Sequence, residues 1–317
     1  MTQNKESVGF VGLGMMGHGM AKNIVEKGYP LTVLARSNRK PVEDMLGRGA
    51  SEASTPKAVA EKSTVVFLCV TGSPEVEATV RGPDGLAAGL KPGSVIVDCS
   101  TANPVSTTTL AAELAPRGID FVDAPLSRTP KEAWEGTLDT MVGASDAVFA
   151  RLKPIFETWA GKIVHIGGTG DGHRMKLLNN FLGMGFAALF SEALVAAAKV
   201  GISPERFDSV IRGGRMESPF YQTFMRWTLE GDRDAHKFSI SNAFKDVRYL
   251  ESMMDAAGVA NPVGNAIKNS FSLAVSAGGE QDYVPMLATH IARLNGVDLL
   301  PKSAEAGSMS LTGKAAA

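Results

Sequence analysis

The chain has 317 residues, 44 % of them hydrophobic and 21 % charged, with a net charge of −1. That balance excludes a polybasic surface for nucleic acid or membrane and points to a small-molecule partner. The length predicts two domains of about 150 residues each. Two cysteines, Cys69 and Cys99, each close an apolar run, which reads as small buried residues and excludes a disulfide framework.

Residues 1–7 are polar and lack the apolar core of a signal peptide, so the expected setting is cytoplasmic. The first predicted strand, 7–13, runs into Gly12-x-Gly14-x-x-Gly17, and a helix pattern over 15–27 follows at once. Strand, G-x-G-x-x-G and helix in that order describe a dinucleotide pyrophosphate site. Gly12 permits the tight turn, Gly14 lets the backbone approach the phosphates, Gly17 allows close packing, and the helix start offers free N–H groups. Gly12, Leu13, Gly14, Met15 and Met16 are therefore candidate cofactor residues.

A second strand is predicted at 31–34, followed by Ala35-Arg36-Ser37-Asn38-Arg39-Lys40. An NAD site more often has an acid here for the ribose 2′-hydroxyl. Arg36 and Ser37, with Arg39, suit a 2′-phosphate instead, so NADP(H) is favoured over NAD(H). Further strands are predicted at 65–70, 95–98, 121–123, 139–142 and 163–166, with helices such as 105–117 between them. This alternation implies a doubly wound parallel sheet of the Rossmann type over residues 1–168.

The pattern then turns wholly helical, predicting an all-α domain over 169–300 for substrate and oligomerisation, and a small, polar, disordered tail over 301–317. The segment 172–199 is Ala- and Leu-rich on nearly every face and is expected to be a long helix buried on nearly every face, a connector wedged between two domains or two subunits. Its longest apolar stretch, 181–190, is about half of a bilayer span, and no membrane partner is expected.

Lys176 and Asn180 lie four apart on that helix and share a face. An ammonium at the entrance to an apolar helix is a candidate proton donor to a developing alkoxide. Its reference pKa of about 10.4 means that base duty in the other direction needs burial or a cationic neighbour such as Arg174 or Lys245. Two turns follow predicted strands: Asp98-Cys99-Ser100-Thr101 brings hydroxyls to the carboxyl edge of the sheet, and Asp123-Ala124-Pro125-Leu126-Ser127-Arg128-Thr129 joins a hydroxyl to a guanidinium suited to an anion. The five histidines show no ligand spacing, so no metal is assigned, and no nucleophile-elbow serine occurs.

Five ordered motifs resemble the β-hydroxyacid dehydrogenase family, which includes 3-hydroxyisobutyrate dehydrogenase and tartronate semialdehyde reductase. They are the glycine loop through Gly17, Asp98 to Pro104, Asp123 to Ser127, Gly172-His-Arg-Met-Lys176-Leu-Leu-Asn179-Asn180, and Phe244-Lys245-Asp246. The resemblance runs from about Val8 to Leu294. It implies hydride transfer between a nicotinamide cofactor and a small anionic 3-hydroxy acid or its semialdehyde, with Lys176 as acid/base. It also implies that Asn180, Asp246 and the loop Ser127, Arg128 and Thr129 hold substrate, that Ser100 and Thr101 border the nicotinamide, that Val70 and Thr71 line the cofactor groove, and that Lys245 closes over the cofactor. Relatives are homodimers or homotetramers. Where relatives acting on small carboxylates usually continue with Gly-Gly, this chain has Arg128-Thr129, a loop similar to that of sulfolactaldehyde reductase. Sulfolactaldehyde, tartronate semialdehyde and 3-hydroxyisobutyrate are the candidate substrates. Lys176 argues against an imine reductase of the same fold, and the joint presence of Lys176, Asn180 and Lys245 argues against a non-catalytic dinucleotide module.

Overall fold

The computed structural model describes residues 5–34 and 38–299; Arg36, Ser37 and the tail over 301–317 lie outside the described residues. The chain packs as two compact units, Met1–Leu177 and Leu178–Ala317.

The first unit is built on one sheet of nine strands: β1 (Val8–Val11), β2 (Leu31–Leu34), β3 (Ser51–Glu52), β4 (Val65–Leu68), β5 (Val95–Asp98), β6 (Asp120–Asp123), β7 (Leu126–Ser127), β8 (Leu138–Gly143) and β9 (Ala160–Gly167). The order is β3-β2-β1-β4-β5-β6-β8-β7, with β9 paired to β8. Helices α1 (Gly17–Glu26), α2 (Lys40–Gly47), α3 (Pro56–Glu61), α4 (Ser73–Val80), α5 (Leu86–Gly89), α6 (Pro104–Leu114), α7 (Pro130–Glu135) and α8 (Asp146–Phe156) alternate with the strands. From β3 to β6 every pairing is parallel, with Val8 opposite both Leu31 and Val65, Val65 opposite Val95, and Val95 opposite Asp120. Strands β1, β2, β4 and β5 are buried along their whole length, as the continuous apolar runs require. The strand order reverses between β1 and β4, and the carboxyl ends there form the crevice where open α/β sheets take ligands.

Beyond β6 the sheet departs from the all-parallel expectation. Strand β8 runs antiparallel to both β6 and β7, and only β9 resumes a parallel pairing. The link from β7 to β8, residues 128–137, is shorter than the dozen or so residues that a parallel crossover needs, so the chain can only turn back. The two-residue strands β3 and β7 carry too few residues for a periodic signal and were not expected from the sequence. Strand β1 stops two residues earlier than predicted because Gly12 takes φ +103°, which leaves the strand conformation. The predicted helix over 105–117 divides into α6 and a 3₁₀ turn, Ala115–Arg117, around Pro116. Phe67 anchors the core of this unit, stacked on Phe10 at 6.1 Å and edge-on to Phe156 and Trp159.

Helix α9 (Asp171–Lys199) carries the division between the units within its length. The division falls nine residues past the predicted boundary because the first turns of α9 pack onto the sheet. A Cβ on Gly172 would collide with the Met141 carbonyl oxygen and come within 2.8 Å of the Asp123 carbonyl oxygen. By length and composition α9 is apolar enough to cross a bilayer, with a mean hydropathy of 1.8, more than the stretch 181–190 suggests. One of its faces, with Met184, Ala187, Ala188 and Leu194, enters the core of the second unit. Another is exposed, Leu182 to 61 % and Leu189 to 65 %, so burial on nearly every face is corrected.

The second unit continues through α10 (Pro204–Ile211), α11 (Pro219–Glu230), α12 (Ile240–Ala256), α13 (Pro262–Ser276) and α14 (Leu287–Leu294). Serine followed by proline opens α10 and α11: the Ser203 hydroxyl accepts the Arg206 N–H, and that of Ser218 accepts the Tyr221 N–H. Beyond β9 the only strand-like pairing among the described residues is an isolated bridge between Ser239 and Tyr283.

The contact at Gly172 yields a stability prediction. Gly172→Ala should destabilise by roughly 1–3 kcal/mol, because the atoms in the way are backbone and cannot give, and this outweighs the helix preference for alanine. Urea unfolding measures it; an unchanged or higher midpoint would show that α9 is not seated on the sheet as described.

Candidate active site

The predicted cofactor residues of the first unit fall on consecutive turns at the carboxyl ends of neighbouring strands. Gly12 to Met16 follow β1, Val70 and Thr71 follow β4, and Ser100 and Thr101 follow β5. The turns after β4 and β5 are bonded to each other. The Ser100 hydroxyl accepts the Val70 N–H at 3.0 Å, the Ser100 N–H donates to Asp98 Oδ1 at 2.9 Å, and the Asn103 N–H donates to the Ser73 hydroxyl at 2.7 Å.

The glycine loop fits a dinucleotide. A Cβ on Gly12 would collide with the Cys69 carbonyl, and one on Gly17 with the Gly12 carbonyl, so both must lack side chains for the loop to form. Gly14 and Met15 are exposed and nothing lies within 4 Å of a Cβ at Gly14, which leaves that backbone open to a ligand above the start of α1. Of the basic residues predicted to read the ribose, Arg39 is described: its guanidinium grips Glu52 on β3 through two bonds, at 2.5 and 3.0 Å. Arg39 is thereby taken up by Glu52.

Lys176 stands on the second turn of α9, half-buried. The turn before it is held by the buried Asp123, whose carboxylate accepts the N–H groups of Gly170 and His173, both at 2.6 Å. Burial pushes the Asp123 carboxyl above its ordinary range, opposed by His173 and by those two N–H donors. Arg174, one of the two cations considered as a neighbour for Lys176, is exposed and bonded to Asp171 at 2.6 Å.

The substrate loop divides into three roles. Ser127 ends β7 with its hydroxyl oxygen buried and without a hydrogen-bond partner among the described residues. Arg128 takes φ +85°, a left-handed backbone unusual for a side chain of its size, and its Nε donates to Asp139 Oδ1 at 2.9 Å. Its Nη groups carry no further bond among the described residues. Thr129 caps α7: its hydroxyl donates to Glu132 and accepts the Lys131 N–H, while its own N–H donates to Glu132 Oε2 at 3.0 Å. The Thr129 hydroxyl, expected at the substrate, gives its one hydrogen to Glu132 in this structure.

In the second unit Asn180 and Asp246 are both buried, and Asn180 Nδ2 donates to Asp246 Oδ2 at 2.7 Å. Lys245 pairs with the other carboxylate oxygen at 2.9 Å and lies over the Tyr249 ring at 4.9 Å. Asp246 therefore orients Asn180 and neutralises Lys245. Two surface hollows, about 530 Å³ beside Glu52, Ala53, Ala58 and Lys62, and about 380 Å³ beside Glu192, Lys199, Ser270 and Asn295, are lined by none of the candidate residues.

Comparison with known proteins decides the family. A model of the NAD-binding domain of 6-phosphogluconate dehydrogenase matches residues 7–167, and a model of the NAD-binding region of NADP-dependent 3-hydroxyisobutyrate dehydrogenase matches 170–289. The 2-hydroxy-3-oxopropionate reductase of Escherichia coli is 33 % identical over 280 residues, covering 86 % of this chain and 93 % of its own. The chain belongs to the β-hydroxyacid dehydrogenase family. By class it is an NAD(P)-dependent 3-hydroxyacid dehydrogenase or semialdehyde reductase. The dehydrogenase is also similar to 2-(hydroxymethyl)glutarate dehydrogenase of Eubacterium barkeri, 40 % identical over 64 % of this chain and 67 % of that one. The 3-sulfolactaldehyde reductase of Escherichia coli is 29 % identical over 89 % of this chain and 94 % of its own. The fold matches 3-hydroxyisobutyrate dehydrogenase of Mycobacterium tuberculosis with a TM-score of 0.81 at 24 % identity, over 90 % of this chain and 99 % of that one.

Sequence reasoning missed the parts of this dehydrogenase that hold the site without facing it: Asp123 as the anchor of α9, His173, Thr107 and Asp139. The signal that could have found His173 was its place one turn before Lys176. The two thiols sit at the carboxyl ends of β4 and β5, and desolvation pushes Cys69 up to about 12 and Cys99 well above its ordinary value, with Asp98 adding to both. At pH 8 the thiolate fraction of Cys69 is then on the order of 10⁻⁴. Native protein should label with iodoacetamide about a thousandfold more slowly than free cysteine, and both thiols should react in denaturant. Fast labelling of the folded protein at pH 8 would contradict this burial.

Proposed function

We propose that this dehydrogenase interconverts a small anionic semialdehyde and the corresponding 3-hydroxy acid, with NADP(H) preferred over NAD(H). Sulfolactaldehyde leads the candidates, followed by tartronate semialdehyde and 3-hydroxyisobutyrate. The carrying observation is the Ser127–Arg128 pair: a hydroxyl buried and without a partner among the described residues is followed in the chain by a guanidinium held by Asp139 through Nε alone, its backbone in a conformation that costs energy to hold. An anionic group on the substrate satisfies both. The relatives support the same class, since 2-(hydroxymethyl)glutarate, 2-hydroxy-3-oxopropionate and 3-sulfolactaldehyde, for which they are named, all carry anionic groups.

The bound nicotinamide supplies or takes the hydride. Gly12 to Met16 hold its pyrophosphate, and Val70, Thr71, Ser100 and Thr101 form the rim beside it. Lys176 gives a proton to the developing alkoxide in reduction and removes it in the reverse direction. Asn180, oriented by Asp246, and Ser127 hold the substrate, and Lys245 lies over the cofactor. Arg36 and Ser37 read the 2′-phosphate. We place the enzyme in the cytoplasm as a homodimer or homotetramer; the exposed apolar face of α9 supports a second copy as its cover.

A panel of anionic C3 and C4 aldehydes, assayed at 340 nm with NADPH and with NADH, tests this reading. An anionic semialdehyde should be reduced with a higher kcat/KM for NADPH; no turnover, or equal values for the two cofactors, would contradict it. Arg128→Ala should lower kcat/KM for the anionic substrate by tens to thousands of fold, from a lost pairing of about 2–5 kcal/mol. A neutral aldehyde of similar size should be little affected. Equal losses for both would show that Arg128 holds the loop through Asp139 and does not bind the anion.

A further inference from the structure

His173 lies on the first turn of α9, three residues before Lys176, and no part of it reaches solvent. Both ring nitrogens are bonded. Nε2 lies 3.0 Å from the Ser100 carbonyl oxygen, and Nδ1 lies 2.8 Å from the Thr107 hydroxyl on α6. A carbonyl oxygen can only accept, so Nε2 carries the hydrogen; Nδ1 shares a hydrogen bond with the Thr107 hydroxyl, which also lies 3.2 Å from the Asn103 carbonyl oxygen. Two buried carboxylates stand just outside hydrogen-bond reach, Asp98 Oδ2 at 3.9 Å from Nε2 and Asp123 Oδ2 at 3.9 Å from Nδ1. The Asp98 oxygen has no hydrogen-bond donor among the described residues.

The partner that matters is Ser100. Its N–H is held by Asp98, its hydroxyl by the Val70 N–H and its carbonyl by His173, so all three of its polar groups are fixed from different elements. It stands at the carboxyl end of β5, on the sheet edge that carries the glycine loop, where a dinucleotide lies in an open α/β sheet. His173 is thus a side chain of α9 reaching that edge, one turn from Lys176. We propose that His173 is a positioning residue for the reduction: it fixes the distance between the Ser100 turn, against which the cofactor lies, and the helix turn that presents the Lys176 ammonium. A misplacement on the order of 1 Å between reacting groups costs roughly a hundredfold in rate, and a fully buried hydrogen-bonded ring resists such a shift. The Thr107 bond ties the ring to a neighbouring helix, as a histidine serving the fold alone also would, whereas the Ser100 bond ties it to a turn at the ligand edge.

The inference rests on Lys176 as proton donor, so its test reads binding as well as turnover. His173→Leu keeps an apolar side chain of similar bulk but leaves Ser100 and Thr107 without their partner. His173→Gln restores a donor that can reach the Ser100 carbonyl. For His173→Leu, kcat with the best aldehyde of the panel should fall about tenfold or more, and the Kd for NADPH, read by its fluorescence, should rise several-fold. His173→Gln should recover most of both. Equal losses for the two variants, or wild-type kcat and Kd in a folded His173→Leu, would overturn the proposal. Should His173→Leu fail to fold, Thr107→Val removes the second anchor at nearly constant shape; a fall in kcat without a change in aldehyde KM supports the proposal, and an unchanged kcat overturns it. Absence of turnover from the wild-type enzyme would sink the proposed function, while the NADPH Kd of His173→Leu would still report on Ser100.

Discussion

Asp123 ends β6 with no exposed surface, and both of its carboxylate oxygens accept N–H groups from the start of α9. A buried carboxylate is costly unless it is bonded, and a helix start is costly to bury unless its free N–H groups find acceptors. Each requirement here answers the other, and the favourable end of the helix dipole adds to the match. The consequence is positional. A helix tied at its first turn to the end of a strand cannot slide or rotate, so a side chain on its second turn has a fixed place above the sheet edge. Gly172 completes the seat by letting the helix backbone come within a Cβ of Asp123 and Met141.

The same edge carries the dinucleotide loop for reasons rooted in the strand order. Strands β1 and β4 diverge in topology, and their carboxyl ends open a crevice that the turns after β1, β4 and β5 line in succession. Hydrogen bonds among Val70, Ser100, Asp98, Ser73 and Asn103 tie the turns after β4 and β5 into one rim. The substrate loop is stiffened differently, by the antiparallel pairing of β7 with β8, the capping box of Thr129 and Glu132, and the ion pair of Arg128 with Asp139. Among the described residues the buried Ser127 hydroxyl remains without a partner, the kind of cost that a ligand removes.

Much of this was legible in the residues. Continuous apolar runs marked the buried parallel strands, and the glycine spacing marked the phosphate loop, because both signals are local. Lys176 and Asn180 were legible from helical spacing. What was hidden depends on contacts between distant residues: the reversal of the sheet after β6, the bond from Asp123 to Gly170, and the ring of His173 between Ser100 and Thr107. The Glu52 partner of Arg39 was hidden for a related reason, whereas the Thr129-x-x-Glu132 capping box was readable from its spacing. The exposed face of α9 misled through composition, which counts apolar residues without saying what covers them.

The account centres on Lys176 as the proton donor held by that seated helix, and the most direct measurement is the kcat of Lys176→Ala beside its affinity for NADPH. Loss of general acid/base assistance predicts a kcat lower by roughly 10²–10⁴, with the NADPH Kd close to that of the wild type. A kcat within a few-fold of wild type, or a loss confined to KM, would contradict the assignment.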